Sequence, residues 1–159
     1  MKSIIITGAT RGIGLALARF YAKKGWGVTL NGGHDKDALA AVANELSKQT
    51  RVVSCFGSVA EEKTAEAITQ KALDAFGHID LLINNAGISH IGLLSDMTSE
   101  EWHHLMGTNL DSVFYMKYES PHQKQESPNL FRLLPLLSPL LFNLTSSTGA
   151  KRQKNKKRK

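Results

Sequence analysis

Cysteine is almost absent from this chain. The single Cys55, set in an apolar run, excludes a disulfide framework and a cysteine-built metal site within one chain, and is expected as a small buried hydrophobe. Long hydrophobic runs are missing as well. The apolar stretch at residues 4–6 is far too short for the core of a signal peptide, so the chain is expected to start in the cytoplasm. The Leu-rich stretch at 130–144 carries Arg132 and is broken by Pro135 and Pro139, short of the roughly 20 apolar residues a bilayer requires. No membrane span and no metal site are expected. Proline is lacking up to residue 117, where 12 of the 13 glycines lie, while all four prolines (Pro121, Pro128, Pro135, Pro139) come later.

Charge divides at the same place. The net charge of +6 would point to an anionic partner if it were evenly spread, but residues 1–117 hold 11 Lys/Arg against 12 Asp/Glu. Residues 118–159 hold 9 against 2, and seven of those nine bases fall in the last nine residues. The basicity therefore belongs to a tail. No aromatic side chain lies among those bases to stack on a nucleotide, so a solvated tail is expected rather than a nucleic-acid or anion contact. Two regions follow: a folded domain over 1–117, and a Pro/Leu-rich, basic segment over 118–159 expected to be disordered.

Up to residue 117 short β-rich runs alternate with stretches of helical period, the pattern of parallel strands joined by crossover helices. This predicts an α/β fold. Strands are predicted at 3–7, 28–30, 51–56 and 81–83. Ile13, Leu17 and Phe20 mark the expected inner face of the first helix, which Gly25 closes, and Leu39, Val42, Ala43 and Leu46 that of the second. Ser58-Val59-Ala60-Glu61 fits a capping box opening a third helix with Ala65, Ile68, Ala72 and Phe76 inward. Thr98-Ser99-Glu100-Glu101 fits another, opening a helix towards Asn109 with Trp102 and Leu105 on one side.

Between the first strand and first helix stands Thr7-Gly8-Ala9-Thr10-Arg11-Gly12-Ile13-Gly14, a glycine-rich turn where backbone amides and the helix dipole can meet a pyrophosphate. Gly8 permits the tight turn, Gly12 a close approach to phosphates, and Gly14 close packing of helix on sheet. Asn84-Asn85-Ala86-Gly87 follows the fourth strand directly, at the edge where ligands of open α/β sheets bind. With Asn109 in Thr108-Asn109-Leu110, these motifs resemble the short-chain dehydrogenase/reductase family. Thr-Gly-Ala-Thr-Arg-Gly-Ile-Gly, and Ala-Gly-Ile-Ser followed by Thr-Ser-Glu-Glu-Trp, are most similar to 3-oxoacyl-acyl-carrier-protein reductases.

The resemblance implies a Rossmann-type doubly wound parallel sheet, of which residues 1–117 supply the strands up to the fourth and the helices after it. It implies cofactor contacts at Gly8, Ala9, Thr10, Arg11, Gly12, Ile13 and Gly14, at Asn85, Ala86 and Gly87, and at Ser58 and Val59, where the family carries an Asp-Val pair for the adenine ring. Asn31-Gly32-Gly33 after the second strand offers no acid for the ribose hydroxyls, and Arg11 lies in the phosphate loop. NADP is therefore favoured over NAD, with Asp35 the nearest acid. The implied substrate is a small or acyl-carrier-bound carbonyl compound.

Reduction of a carbonyl needs an acid for the nascent alkoxide, which this family finds in a tyrosine with a lysine four residues later. Four residues beyond Tyr21, Tyr115 and Tyr118 stand Gly25, Glu119 and His122, so the chain contains no Tyr-x-x-x-Lys. Of the family's catalytic set, Asn109 is matched. Residues 143–149 resemble the strand bearing the substrate-orienting serine, which nominates Ser146. The chain reads as a truncated, inactive oxidoreductase or a non-catalytic NADP-binding module, without the family's homo-oligomer. The abrupt change near Met116 reads as a frame shift or unspliced segment, which sequencing the locus would test.

Overall fold

The computed structural model describes residues 1–118. Residues 119–159, and with them Ser146 and the expected disorder of the basic segment, lie outside the described residues. Four segments become strands: β1 (Ser3–Ile6), β2 (Gly27–Gly32), β3 (Val52–Phe56) and β4 (Leu81–Ile83). Helices α1 (Gly12–Lys23), α2 (Lys36–Leu46) and α3 (Glu62–Phe76) connect them. After β4 come α4 (Ser99–Met106) and α5 (Ser112–Tyr118), joined by a wide π-helical turn over Gly107–Asp111.

All pairings are parallel and the sheet order is β3-β2-β1-β4. The chain steps outward from β1 to β3, then crosses back to the far side of β1. That reversal opens a crevice at the carboxyl ends of β1 and β4, the place where open α/β sheets receive ligands.

Successive residues of β1 face opposite layers, and both layers are dry. Ile4 and Ile6 pack with Ala18 and Ala22 of α1 and with Leu39, Val42 and Leu46 of α2. Ile5 turns the other way, to Ala65, Ile68 and Ala72 of α3 and Met116 of α5. A strand covered on both faces reads as an unbroken apolar run, which is why β1 carries no alternation. Each of these isoleucines removes enough apolar area from water to contribute about 2 kcal/mol.

The inner face of α1 differs from the one its sequence predicts. Of the expected residues Leu17 packs against the core, but Ile13 and Phe20 are 61% and 50% exposed, while Gly14, Ala18 and Ala22 are buried at i, i+4 and i+8. Small side chains win that face because the helix starts hard against the turn that leaves β1. A Cβ at Gly14 would collide with the Gly8 carbonyl oxygen and the Asn85 carboxamide. Phe20 stacks edge-on against Tyr21 with Lys24 over its ring.

Strand β2 also exceeds its predicted span, taking in Gly27, Asn31 and Gly32, all of them buried. The capping box at Ser58 does not form. Residues 58–61 close a turn instead, Glu61 N–H donating to Ser58 O at 3.1 Å, the helix begins at Glu62, and Ser58 Oγ accepts from the Ala60 amide at 3.3 Å, with Val59 buried in the core. The box at Thr98 is present in both halves. Glu101 N–H donates to Thr98 Oγ1 (3.2 Å) and Thr98 N–H to Glu101 Oε2 (2.8 Å). These bonds hold the Glu101 carboxyl below its ordinary range.

Candidate functional site

The carboxyl edge of the sheet gathers three turns: 8–12 after β1, 57–59 after β3 and 84–87 after β4. Gly8 and Gly12 take φ of +63° and +56°, which other residues adopt only at a cost. A Cβ on Gly8 would lie 2.9 Å from Ala86 Cα, so glycine here lets the first and third turns touch. A Cβ on Gly12 would meet nothing within 4 Å, so that backbone faces open space.

Just beyond, α1 opens with the N–H groups of its first turn, which no helix can satisfy internally. Arg11, at the N-cap, makes no side-chain capping bond, and no acid stands in the first turn. The partial positive charge of the helix end thus faces outward beside an exposed guanidinium, the arrangement that suits an anionic phosphate. Ala9 is buried, Thr10 is half-buried, and Ile13 and Gly12 are exposed.

The first and third turns are clamped by Thr7, 2% exposed. Its Oγ1 accepts from the amides of Asn85 and Ala86, both at 3.0 Å. In return Asn85 Nδ2 donates to the carbonyls of Thr7 (2.9 Å) and Gly8 (3.1 Å). The Asn85 amide nitrogen is thereby spent on the protein and acts as a brace between turns. Asn109 is spent in the same way: its Oδ1 accepts from Ile88 N–H (2.9 Å) and its Nδ2 donates to Ile88 O (2.8 Å). The wide turn at Gly107–Asp111 presents Asn109 to the segment after β4, and a Cβ on Gly87 would lie 3.3 Å from its Oδ1.

At the end of β2 there is no side chain to speak of. Gly32 lies beneath the Thr10 methyl, which a Cβ would strike at 2.6 Å, and Gly33 is exposed. Asp35, the nearest acid, is the N-cap of α2, and its Oδ1 accepts from Ala38 N–H at 2.8 Å. The Asn31 carboxamide turns inward, donating to the carbonyls of Cys55 (3.1 Å) and Gly57 (3.0 Å). Burial pushes the Cys55 thiol above its ordinary range. Among the described residues no group of His, Cys, Asp and Glu comes together to hold a metal, and no helix is long and apolar enough to cross a membrane.

Of the expected site residues, the structure brings 8–14 and 85–87 together, and sets 58 and 59 beside the end of β2. Asn109 joins them through Ile88 and Gly87. Thr7 and Asn31 were missed as site-builders. Each is a buried polar residue at the carboxyl end of a central strand, and that placement is the signal that could have found them.

Four parallel strands in this order, with a glycine turn leading into α1 at the switch point, define a Rossmann-type fold. The profile described as short chain dehydrogenase matches residues 2–127, past the composition boundary near Met116. The 3-oxoacyl-[acyl-carrier-protein] reductase of Staphylococcus epidermidis is 33% identical over 150 residues, which are 94% of this chain and 58% of that protein.

An alcohol dehydrogenase of the archaeon Thermococcus sibiricus, solved with 5-hydroxy-NADP, superposes with a TM-score of 0.70 at 32% identity, over 75% of this chain and 51% of its own. A blue fluorescent protein from a metagenomic library, in complex with NADPH, gives 0.71 at 27%, over 75% and 49%. The chain belongs to the short-chain dehydrogenase family, with similarity to 3-oxoacyl-acyl-carrier-protein reductases, and spans about half the length of the relatives it matches.

Proposed function

We infer that residues 1–118 are the cofactor-binding half of an NADPH-dependent oxidoreductase acting on a carbonyl, a 3-oxoacyl group by similarity. These 159 residues taken alone bind the dinucleotide without turning it over. The observation that carries the reading is the pairing of an open, amide-lined helix start at Gly12 with an acid-free end of β2. A pyrophosphate fits the first, and the second lacks the carboxylate that ribose hydroxyls need. Asp35 is held away as a helix cap, which leaves Arg11 to favour a 2′-phosphate.

The nicotinamide, when bound, supplies a hydride for a carbonyl carbon. The chain's own residues divide the remaining work. Gly8, Ala9, Thr10, Arg11, Gly12, Ile13 and Gly14 hold the phosphates, Ser58 and Val59 bound the adenine side, and Asn85, Ala86 and Gly87 form the floor beneath the nicotinamide side. Asn109 fixes the segment after β4 through Ile88. An acid for the alkoxide is what these residues do not include, since no Tyr-x-x-x-Lys occurs.

Titration of NADPH and NADH against the intact chain, followed by nicotinamide fluorescence, tests this. Saturable binding with NADPH at least about tenfold tighter is expected, with no loss of NADPH absorbance when a 3-oxoacyl thioester is added. Equal or tighter NADH binding overturns the preference. Absence of saturation by either at millimolar concentration overturns the reading, and steady turnover overturns the claim of binding without catalysis.

A further inference from the structure

We propose that Asn31 is a positioning residue for the adenosine end of the dinucleotide, acting through the 57–59 turn. The proposal rests on the NADPH-binding reading above. Asn31 is 1% exposed at the carboxyl end of β2, between the strands that deliver the glycine turn and the 57–59 turn. A polar carboxamide is retained there only if its groups are satisfied, and both of its N–H bonds are used: one on Cys55 O, one on Gly57 O. Its own backbone carbonyl accepts from Ala9 N–H at 2.8 Å. One residue thus ties the glycine turn on one side to the 57–59 turn on the other.

The 57–59 turn has few other anchors on that side. Gly57 takes φ of +153° and donates its N–H to Gly32 O (3.1 Å), and a Cβ on Gly33 would lie 3.1 Å from Gly57 O. Gly57 O is therefore the atom whose position sets the gap between the end of β2 and the turn, and Asn31 Nδ2 holds that atom. A ligand lying across the glycine turn towards β3 must rest against this gap. Asn31 touches no ligand itself, so its influence is on where the turn sits.

The test uses the full chain with NADPH and with adenosine 2′,5′-bisphosphate, which carries the adenosine end alone. Asn31→Ala removes both donors. It is expected to weaken both ligands by a similar factor, about tenfold, at every pH. Asn31→Asp sets a carboxyl against two carbonyl oxygens. Its ionised form repels them and its protonated form donates to one, so its affinity relative to the unaltered chain should recover as pH falls from 8 to 6. A role in stability alone would lower the melting temperature without that pH-dependent recovery.

Affinities within twofold of the unaltered chain in folded Asn31→Ala overturn the proposal. So does a loss for NADPH that the bisphosphate does not share. If neither variant folds, amide exchange on the unaltered chain decides: slow exchange of the Asn31 side-chain protons, with amides 57–60 slowing further on addition of the bisphosphate, supports it, and fast exchange of those protons overturns it. Failure of the unaltered chain to bind NADPH overturns the underlying reading instead.

Discussion

Two buried threonines give the same substitution opposite signs. Thr7 and Thr29 are 2% and 0% exposed, the first just past the end of β1 and the second within β2. Thr7 Oγ1 accepts two backbone amides at 3.0 Å, whereas Thr29 Oγ1 finds no hydrogen-bond partner among the described residues. Valine matches threonine in shape, so neither change opens a cavity and the effect isolates the hydroxyl.

In Thr7→Val the amides of Asn85 and Ala86 lose their acceptor. Both residues are only half-buried, so each unpaired amide costs about 1 kcal/mol, near the lower end for such groups, and the pair about 2 kcal/mol. For a domain near 100 residues that is a fall of about 8 °C in Tm. Thr29→Val removes an unsatisfied buried hydroxyl and should be neutral or stabilising by up to about 1 kcal/mol. Thermal and urea unfolding of both variants, with matched m-values, measures the difference. Finding Thr7→Val as stable as Thr29→Val would refute the idea that the clamp between turns is held by this hydroxyl. NADPH affinity should fall with Thr7→Val and stay unchanged with Thr29→Val.

Three further outcomes follow from the site and its supports. Arg11→Ala should weaken NADPH about tenfold through loss of one charge-assisted contact and leave NADH nearly unchanged; equal losses for both would place Arg11 on the pyrophosphate instead. Thr98→Ala should cost about 1 kcal/mol as a lost helix cap. Because the bonds from Thr98 depress the folded-state pKa of Glu101, that part of the stability is complete above the ordinary carboxylate pKa and is lost as pH falls through the folded value. Glu101→Gln, which removes the titrating carboxyl, should therefore show a flatter acid limb than the unaltered chain, and an unchanged limb would count against the Thr98 N–H bond as a source of stability. Asn109→Ala removes two bonds to Ile88 and should cost about 1–2 kcal/mol, with fluorescence of Trp102 on the preceding helix reporting loosening of α4.

Much of this fold could be read from residue order because propensity, pattern and punctuation agreed. β4 at Leu81–Ile83, the box at Thr98 and the closing Gly25 with φ of +73° all stand where local chemistry puts them. Reading failed where tertiary context overrode a local rule. Glycine and asparagine are poor strand formers, so the ends of β2 were invisible, yet the close approach of Phe76 to Gly27 and of Thr10 to Gly32 demands bare backbone there. Ile13 and Phe20 of α1 look like part of the core face with Leu17, but Gly14, Ala18 and Ala22 take its centre because the helix runs so near the sheet.

The candidate site was legible where chemistry and spacing coincide, as in 7–14 and 84–87. It was illegible where a polar side chain serves the protein's own backbone. Asn31, Thr7 and the inward face of Asn85 are known only once the strands are side by side. Asp35 shows the reverse case: it could have been read as a ribose ligand, and its bond to Ala38 N–H gives it to α2 instead.

The central claim is that a dinucleotide lies across the carboxyl edge of this sheet, along the glycine turn. Mapping backbone amide shifts of the intact chain during NADPH titration tests it most directly. Saturable shifts concentrated at residues 8–14, 57–60 and 85–88 are predicted. Shifts confined to the shallow cavity lined by Leu94, Met97 and Trp102, or none at saturating cofactor, would contradict it.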